Sequence, residues 1–311
     1  MTIKTPNFAA LTALNATLLF LAGASMATVA SSQPAATTPS VPAGQAAPSA
    51  LAPDLDVPYV TTPDNVVEAM MSLANVGSKD FLLDLGSGDG RIVIIAVSKH
   101  GARGMGVEID PRLVRLSNDN AKKAGVADRA KFVEQDLFTT DLAPASVITM
   151  YLLPDVNLKL RPELLKLKPG TRVVSHDWDM GDWEPDRKVV VDVPEKKLGL
   201  RKESTLMLWK IPAQVGGEWR AGKQMTIDLS QKYQKLAGKV VYRGQTYTDA
   251  TGTIDGTRVE LCFTHHDTGK CRIGALAQLQ KGTLRMLVDG DGRHQVTLIA
   301  HREVKASARR R

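Results

Sequence analysis

The segment 81–100 constrains this chain most. Phe81-Leu82-Leu83-Asp84-Leu85 is a short apolar run, Gly86-Ser87-Gly88-Asp89-Gly90 breaks it, and a helix-forming stretch follows from Arg91. A run of that length closed by glycines reads as a buried strand. Glycines let the backbone pass close to a ligand, and a helix N-terminus offers free N–H groups to an anion. Strand, glycine loop and helix in that order predict an α/β architecture with a ligand at the loop.

The surrounding residues repeat the alternation. Thr62-Pro63-Asp64 reads as a helix start, with Thr62 as N-cap and Pro63 in the first turn. Strands are predicted at 104–109, 131–133, 147–151 and 171–175. Asp110-Pro111 opens a helix that stops at Gly125. A further helix is read at 158–167, with Pro162 near its start, and 189–193 and 206–211 look like a closing pair of strands. Such alternation implies a parallel sheet covered by helices on both faces, with the ligand beyond the carboxyl ends of the strands.

Two acids sharpen the loop signal. Glu108 ends the second predicted strand, where a carboxylate takes both hydroxyls of a ribose, and Asp136 follows the third, placed to accept from an adenine amino group. A dinucleotide loop wants Gly-x-Gly-x-x-Gly/Ala, but here that third position is Arg91, and a bulky side chain crowds the helix–strand packing that a pyrophosphate uses. The Lys-Ser/Thr of a triphosphatase loop is also missing. A nucleoside cofactor that carries a carboxylate and no pyrophosphate fits better.

These residues resemble class I S-adenosylmethionine-dependent methyltransferases. Asp84 to Gly90 matches the first motif of that family, Glu108 its ribose acid and Gln135-Asp136-Leu137 its adenine motif. Within the class, the chain is similar to the small mitochondrial protein-lysine methyltransferases that modify the adenine nucleotide carrier and the ATP synthase c subunit. The shared features are Tyr59-Val60-x-Thr62, the Asp84–Ile94 stretch and Trp183-x-Pro185-Asp186. The resemblance covers roughly residues 57–211. It implies a Rossmann-like seven-stranded doubly wound sheet and S-adenosylmethionine as cofactor. It also implies a cofactor site of Tyr59, Thr62, Asp84, Gly86, Ser87, Gly88, Gly90, Glu108, Asp136 and Leu137, and a protein lysine as methyl acceptor. The fourth-strand end, Met150-Tyr151-Leu152-Leu153-Pro154, lacks the Asp/Asn-Pro-Pro-Tyr of many amino-directed methyltransferases. Two other readings stand beside this one: a small-molecule or lipid methyltransferase, and an exported envelope-binding protein that keeps the fold without catalysis.

Methyl transfer from a sulfonium asks the protein to hold a nucleophile in line, and a lysine must first lose its proton. Tyr151, Asp155, His176 and Asp177 stand at the predicted carboxyl ends of strands four and five. Tyr151 is the choice to wall the methyl channel. His176 reads either as a base or as a hydrogen-bonded structural histidine, and Asp155 either as a catalytic carboxylate or as the N-cap of the next helix. Asp177, Asp179, Asp182, Glu184 and Asp186 surround Trp178 and Trp183, either to receive a basic substrate or as a solvated loop.

Charge separates the last hundred residues from the rest. Residues 57–211 hold 22 basic and 22 acidic side chains, whereas 212–311 hold 17 and 9. Short alternating runs divided by turn signals such as Asp255-Gly256 predict an antiparallel barrel or sandwich there. Its positive charge allows a membrane or acidic partner, and nothing in it signals specific nucleic-acid recognition. His265-His266-Asp267 has metal-ligand residue types but reads as a solvated turn, so no metal site is expected. Cys262 and Cys271, the only cysteines, flank that turn and would pair if the protein is exported.

The N-terminus points to export. Lys4 precedes an apolar stretch centred on Leu18-Leu19-Phe20-Leu21, and Ala22-Gly23-Ala24 and Ser25-Met26-Ala27 suit a signal peptidase. The alternatives are an uncleaved anchor and a true start at Met26, which leaves the protein in the cytosol, where S-adenosylmethionine is made. Residues 28–56 form an Ala/Pro/Ser/Thr-rich linker.

Overall fold

A computed structural model describes residues 60–195, 202–265, 271–289 and 295–303. Tyr59, the N-terminal signal and linker, and His266-Asp267 lie outside them.

The first part is a seven-stranded sheet. Its strands are β1 (Phe81–Leu85), β2 (Arg103–Glu108), β3 (Ala130–Glu134), β4 (Val147–Met150), β5 (Arg172–His176), β6 (Arg187–Asp192) and β7 (Glu203–Lys210). They lie in the order β3-β2-β1-β4-β5-β7-β6. The first five are parallel, and β7 inserts antiparallel between β5 and β6. Helices α1 (Asp64–Ala74), α2 (Arg91–His100), α3 (Pro111–Lys123) and α4 (Pro154–Leu164) connect them.

The strands are apolar on both faces because both are covered. Leu82, Val147, Val174, Leu206 and Leu208 pack into one core with α1, α2 and Ala121 of α3. Their neighbours Leu83, Ile148, Val173, Met207 and Trp209 pack into a second core with α4. This period of two places Asp84 and Thr149, both buried, on the same side as Leu82 and Val147. The strand order reverses between β1 and β4, and there the cleft opens.

Two helix starts differ from the sequence reading. Pro63, not Thr62, precedes the first turn of α1, and no side chain caps it. The Thr62 hydroxyl is turned inward to His176 instead. Helix α4 begins at Pro154, four residues earlier than expected, with Leu153 as its cap. Asp155 sits in its first turn without a capping bond, and Pro162 lies inside the helix near its end, where it removes one i→i−4 hydrogen bond.

Of the two architectures open for the basic module, the structure takes the closed barrel. Strands β8 (Gly217–Ala221), β9 (Met225–Lys232), β10 (Lys235–Tyr242), β11 (Gln245–Asp255), β12 (Arg258–His265), β13 (Cys271–Gln280), β14 (Thr283–Asp289) and β15 (Gln295–Arg302) form it, all antiparallel. Alternate residues, among them Trp219, Val240, Phe263, Met286 and Ala300, fill the interior, so the barrel is a packed core rather than a channel. Cys262 and Cys271 form a disulfide.

Candidate active site

The glycine loop turns sharply out of β1. Gly86, Gly88 and Gly90 take φ of +75°, +53° and +81°. At Gly90 a Cβ would also stand 2.6 Å from the Phe132 ring and 2.8 Å from Ser117 Cβ. The loop is held from both sides. Gly86 and Ser87 donate to the Val107 carbonyl, and Gly88 N–H donates to Glu108 Oε2 at 2.9 Å. The other oxygen of Glu108 accepts from the Ile109 and Asp110 N–H groups at 2.9 and 3.1 Å. Glu108 is therefore fixed by backbone donors at the end of β2, and it lines the pocket.

Asp84 lies at the floor of the cleft. Thr149 donates to its Oδ1 at 2.7 Å, while Oδ2 is buried with no hydrogen-bond partner, as is Ser87 Oγ. Burial, reinforced by the nearby charges of Glu108 and Asp89, pushes Asp84 up to about 7 against the Thr149 bond. A bare carboxylate oxygen and a bare hydroxyl beside a glycine loop are what an incoming donor or cation would satisfy. The Asp84 carboxylate suits the ammonium group of an amino-acid-bearing cofactor.

Asp136 opens a single 3-10 turn at Leu137–Thr139 and accepts from Phe138 N–H at 2.8 Å. Gln135, Asp136, Leu137 and Phe138 form one wall of the same pocket, and Thr62 and Tyr151 also line it. Arg91, the residue that excluded a dinucleotide, folds over Asp89 in an ion pair of 2.7 Å and donates to the Thr62 carbonyl at 3.1 Å. It thereby ties α2 to the segment before α1.

The pocket brings together every described residue of the cofactor set except Gly90, which shapes the loop from behind. The three catalytic candidates separate. Tyr151 lines the pocket. Its ring stacks on His176 with centroids 3.9 Å apart, and its hydroxyl points at Asp177 Oδ2, 3.5 Å away. Burial and the Asp177 charge push the phenol up to about 12, so it stays protonated at neutral pH. His176 is 1% exposed and does not line the pocket. Its Nδ1 lies 3.2 Å from Thr62 Oγ1 and its Nε2 2.8 Å from Ser204 Oγ, a supporting position. Asp155 is exposed and outside the pocket lining.

Sequence reasoning missed Thr149, Ser204 and Gly106. A Cβ at Gly106 would lie 2.5 Å from Ser87 Cβ, so β2 needs a glycine where the loop crosses it. A lone glycine inside a predicted strand is the signal that marks such a crossing. The acidic loop is also resolved. Asp182 pairs with Arg161 and Lys232, Glu184 with Lys235, and Asp186 accepts from the Lys210 backbone. Asp182 and Glu184 join the two parts of the chain.

Fold, strand order and pocket together define a class I S-adenosylmethionine-dependent methyltransferase. The model of the ANTKMT methyltransferase domain matches residues 84–187. A protein-lysine N-methyltransferase of Saccharolobus islandicus is 44% identical over 138 residues, which are 44% of this chain and 86% of that protein. The adenine nucleotide translocase lysine N-methyltransferase of Mus musculus is 36% identical over 132 residues, which are 42% of this chain and 57% of that protein. Among solved structures, an RNA methyltransferase of Salinibacter ruber with S-adenosyl-L-homocysteine is 54% identical, with a TM-score of 0.45, over 50% of this chain and 96% of that one. The chain belongs to the family of that Saccharolobus protein-lysine N-methyltransferase, with an ANTKMT methyltransferase domain over residues 84–187, and S-adenosylmethionine is its cofactor.

Proposed function

We propose that the protein transfers methyl groups from S-adenosylmethionine to the ε-amino group of lysine in a protein acceptor. The observation that carries this reading is the 44% identity to a protein-lysine N-methyltransferase across most of that protein's length. The site supports it. The sulfonium of the bound cofactor supplies an already activated methyl group, so the protein must position and desolvate the nucleophile.

Glu108 would offer its carboxylate to the ribose hydroxyls, and Asp136 and Leu137 would hold the base. Asp84, which lines the pocket with its Oδ2 unpartnered, would hold the amino group of the amino-acid end. Tyr151 walls the acceptor side, where its neutral hydroxyl orients an amine without adding charge. Asp177 behind it gives an arriving ammonium a counter-charge. His176 holds Tyr151 by stacking and acts as a positioning residue.

Two finer points belong to the same reading. The N-terminal segment would direct export if its signal is used, a branch with which the Cys262–Cys271 disulfide agrees, and a start at Met26 would leave the protein in the cytoplasm. The basic barrel offers a surface for an acidic or membrane partner.

Incubation with labelled S-adenosylmethionine and soluble and membrane protein extracts tests the function, with mass spectrometry of the labelled products. Mono-, di- or trimethyl-lysine is the expected product. Label confined to lipids or small molecules would overturn the lysine assignment.

A further inference from the structure

The segment 177–186 begins beside the acceptor wall and ends under the barrel. At its head, Asp177 takes φ of +62° and is fixed to β7 by reciprocal bonds with Thr205 at 2.7 and 2.8 Å. Asn157 of α4 donates to the carbonyls of Trp178 and Asp179, and Arg161 to that of Met180. Trp183, fully buried, is the anchor at the far end.

The barrel grips that anchor with the turn between β9 and β10. Trp183 Nε1–H donates to Gln234 Oε1 at 2.9 Å, and Gln234 Nε2–H donates to the Glu184 carbonyl at 2.7 Å. The Tyr233 ring stacks on Trp183 with centroids 5.6 Å apart, and its hydroxyl donates to Asp182 at 2.9 Å. Lys232 and Lys235, on either side of the turn, pair with Asp182 and Glu184.

The turn itself is costly. Lys232 faces Lys235, so only Tyr233 and Gln234 make the connection, and Tyr233 takes φ of +54°. Two-residue hairpin turns favour glycine or asparagine at such a position, and a tyrosine there is strained. Arg243 and Lys281 take a similar φ in other barrel turns, so what sets Tyr233 and Gln234 apart is where their side chains go. Their side chains are both spent on the 182–184 segment.

We propose that this turn is a positioning element of the methyl-transfer site: Tyr233 and Gln234 fix the far end of 177–186, and so hold Asp177 and Tyr151 in their working places. The proposal gives the barrel a part in the reaction, although the barrel lies outside the residues matched by the family. It rests on the reading that Tyr151 walls the acceptor channel.

The test compares the full-length protein with Tyr233→Ala/Gln234→Leu, with Tyr233→Phe, which keeps the stack, and with Lys223→Ala in another barrel turn. The chain has five tyrosines, so ¹³C-tyrosine NMR follows Tyr151 in each. Tyr151 should ionise about one pH unit lower in the double variant as burial and the Asp177 contact loosen. S-adenosylmethionine affinity should stay within about twofold, because the cofactor contacts lie elsewhere. With poly-L-lysine as acceptor, kcat should fall about fivefold or more through lost alignment. Tyr233→Phe should recover most of both effects, and Lys223→Ala should show neither.

An unchanged Tyr151 titration in the folded double variant would overturn the proposal. So would a fall in cofactor affinity matching the fall in kcat. Should the double variant fail to fold, Gln234→Asn, shorter by one methylene, must show the Tyr151 shift in the same direction. The NMR arm needs no methyl acceptor, so a wild-type protein inactive on lysine would defeat the functional reading, while the Tyr151 titration would still show whether the turn holds Tyr151 and Asp177 in place.

Discussion

Gly88 N–H donates to Glu108 Oε2, joining the glycine loop to the acid at the end of the neighbouring strand. One carboxylate thus does two things: it receives three backbone donors and lines the pocket. Replacing it with alanine removes the ligand contact and frees the loop. Glu108→Ala is expected to weaken S-adenosylmethionine binding by about 1.5–3 kcal/mol, the cost of a lost charged hydrogen bond. Unchanged affinity in the folded variant, measured by calorimetry, would contradict the ribose assignment.

Asp84 predicts a pH dependence of stability. Burial raises it from 3.8 in the unfolded chain to about 7. Folding therefore favours the protonated form. That contribution is complete below about pH 4 and is lost as pH rises through about 7, over a range of a few kcal/mol. Asp84→Asn should flatten the slope of ligand-free stability between those limits, measured by urea unfolding. A slope equal to that of the wild type would show that another group titrates.

The same carboxylate sets the pH dependence of binding. A cationic ligand prefers ionised Asp84, so binding below about pH 7 expels a proton. S-adenosylmethionine affinity should rise with pH and level off above about 7 in the wild type. In Asp84→Asn it should be weaker and lose this dependence. Calorimetry in buffers of different ionisation enthalpy counts the proton directly.

Three glycines give a graded test of loop packing. A Cβ at Gly90 meets Phe132 at 2.6 Å and one at Gly106 meets Ser87 at 2.5 Å, whereas one at Gly77 meets nothing within 4 Å. Gly90→Ala and Gly106→Ala should each cost about 1–3 kcal/mol from overpacking, with Gly90→Ala the worse because of its φ. Gly77→Ala should be close to neutral. Thermal melts in one buffer rank all three, and equal melting temperatures would sink the packing argument.

The cofactor half of the site was legible in the sequence because it is local. A glycine loop, a strand-end acid and a second acid each follow a predicted strand, and a parallel sheet brings strand ends together. Thr149 carries no such mark, since its role depends on β4 pairing with β1 in register with Asp84. The acceptor side was harder for the same reason. His176 looks like a base in sequence, but Thr62 and Ser204, 114 and 28 residues away, occupy its ring nitrogens. Thr62 looked like a helix cap because Thr-Pro-Asp is a common start, and the pull of a buried histidine overrode it. Asp182 and Glu184 could not be read alone, because each has a partner in the barrel.

The disulfide bears on the barrel and not on the pocket. Cys262 and Cys271 close a short loop, with a sequence separation of 9. Reduction, or replacement of both by serine, should lower stability by about 2–3 kcal/mol through loop entropy. Cofactor affinity should not change. A matching loss of S-adenosylmethionine binding would mean that the barrel and the pocket unfold as one unit.

Calorimetric titration of the purified protein with S-adenosylmethionine, with NAD as the comparison, tests the central claim most directly. The account predicts saturable binding of S-adenosylmethionine at one site per chain and none of NAD. A folded protein that binds neither, or that binds NAD, would contradict it.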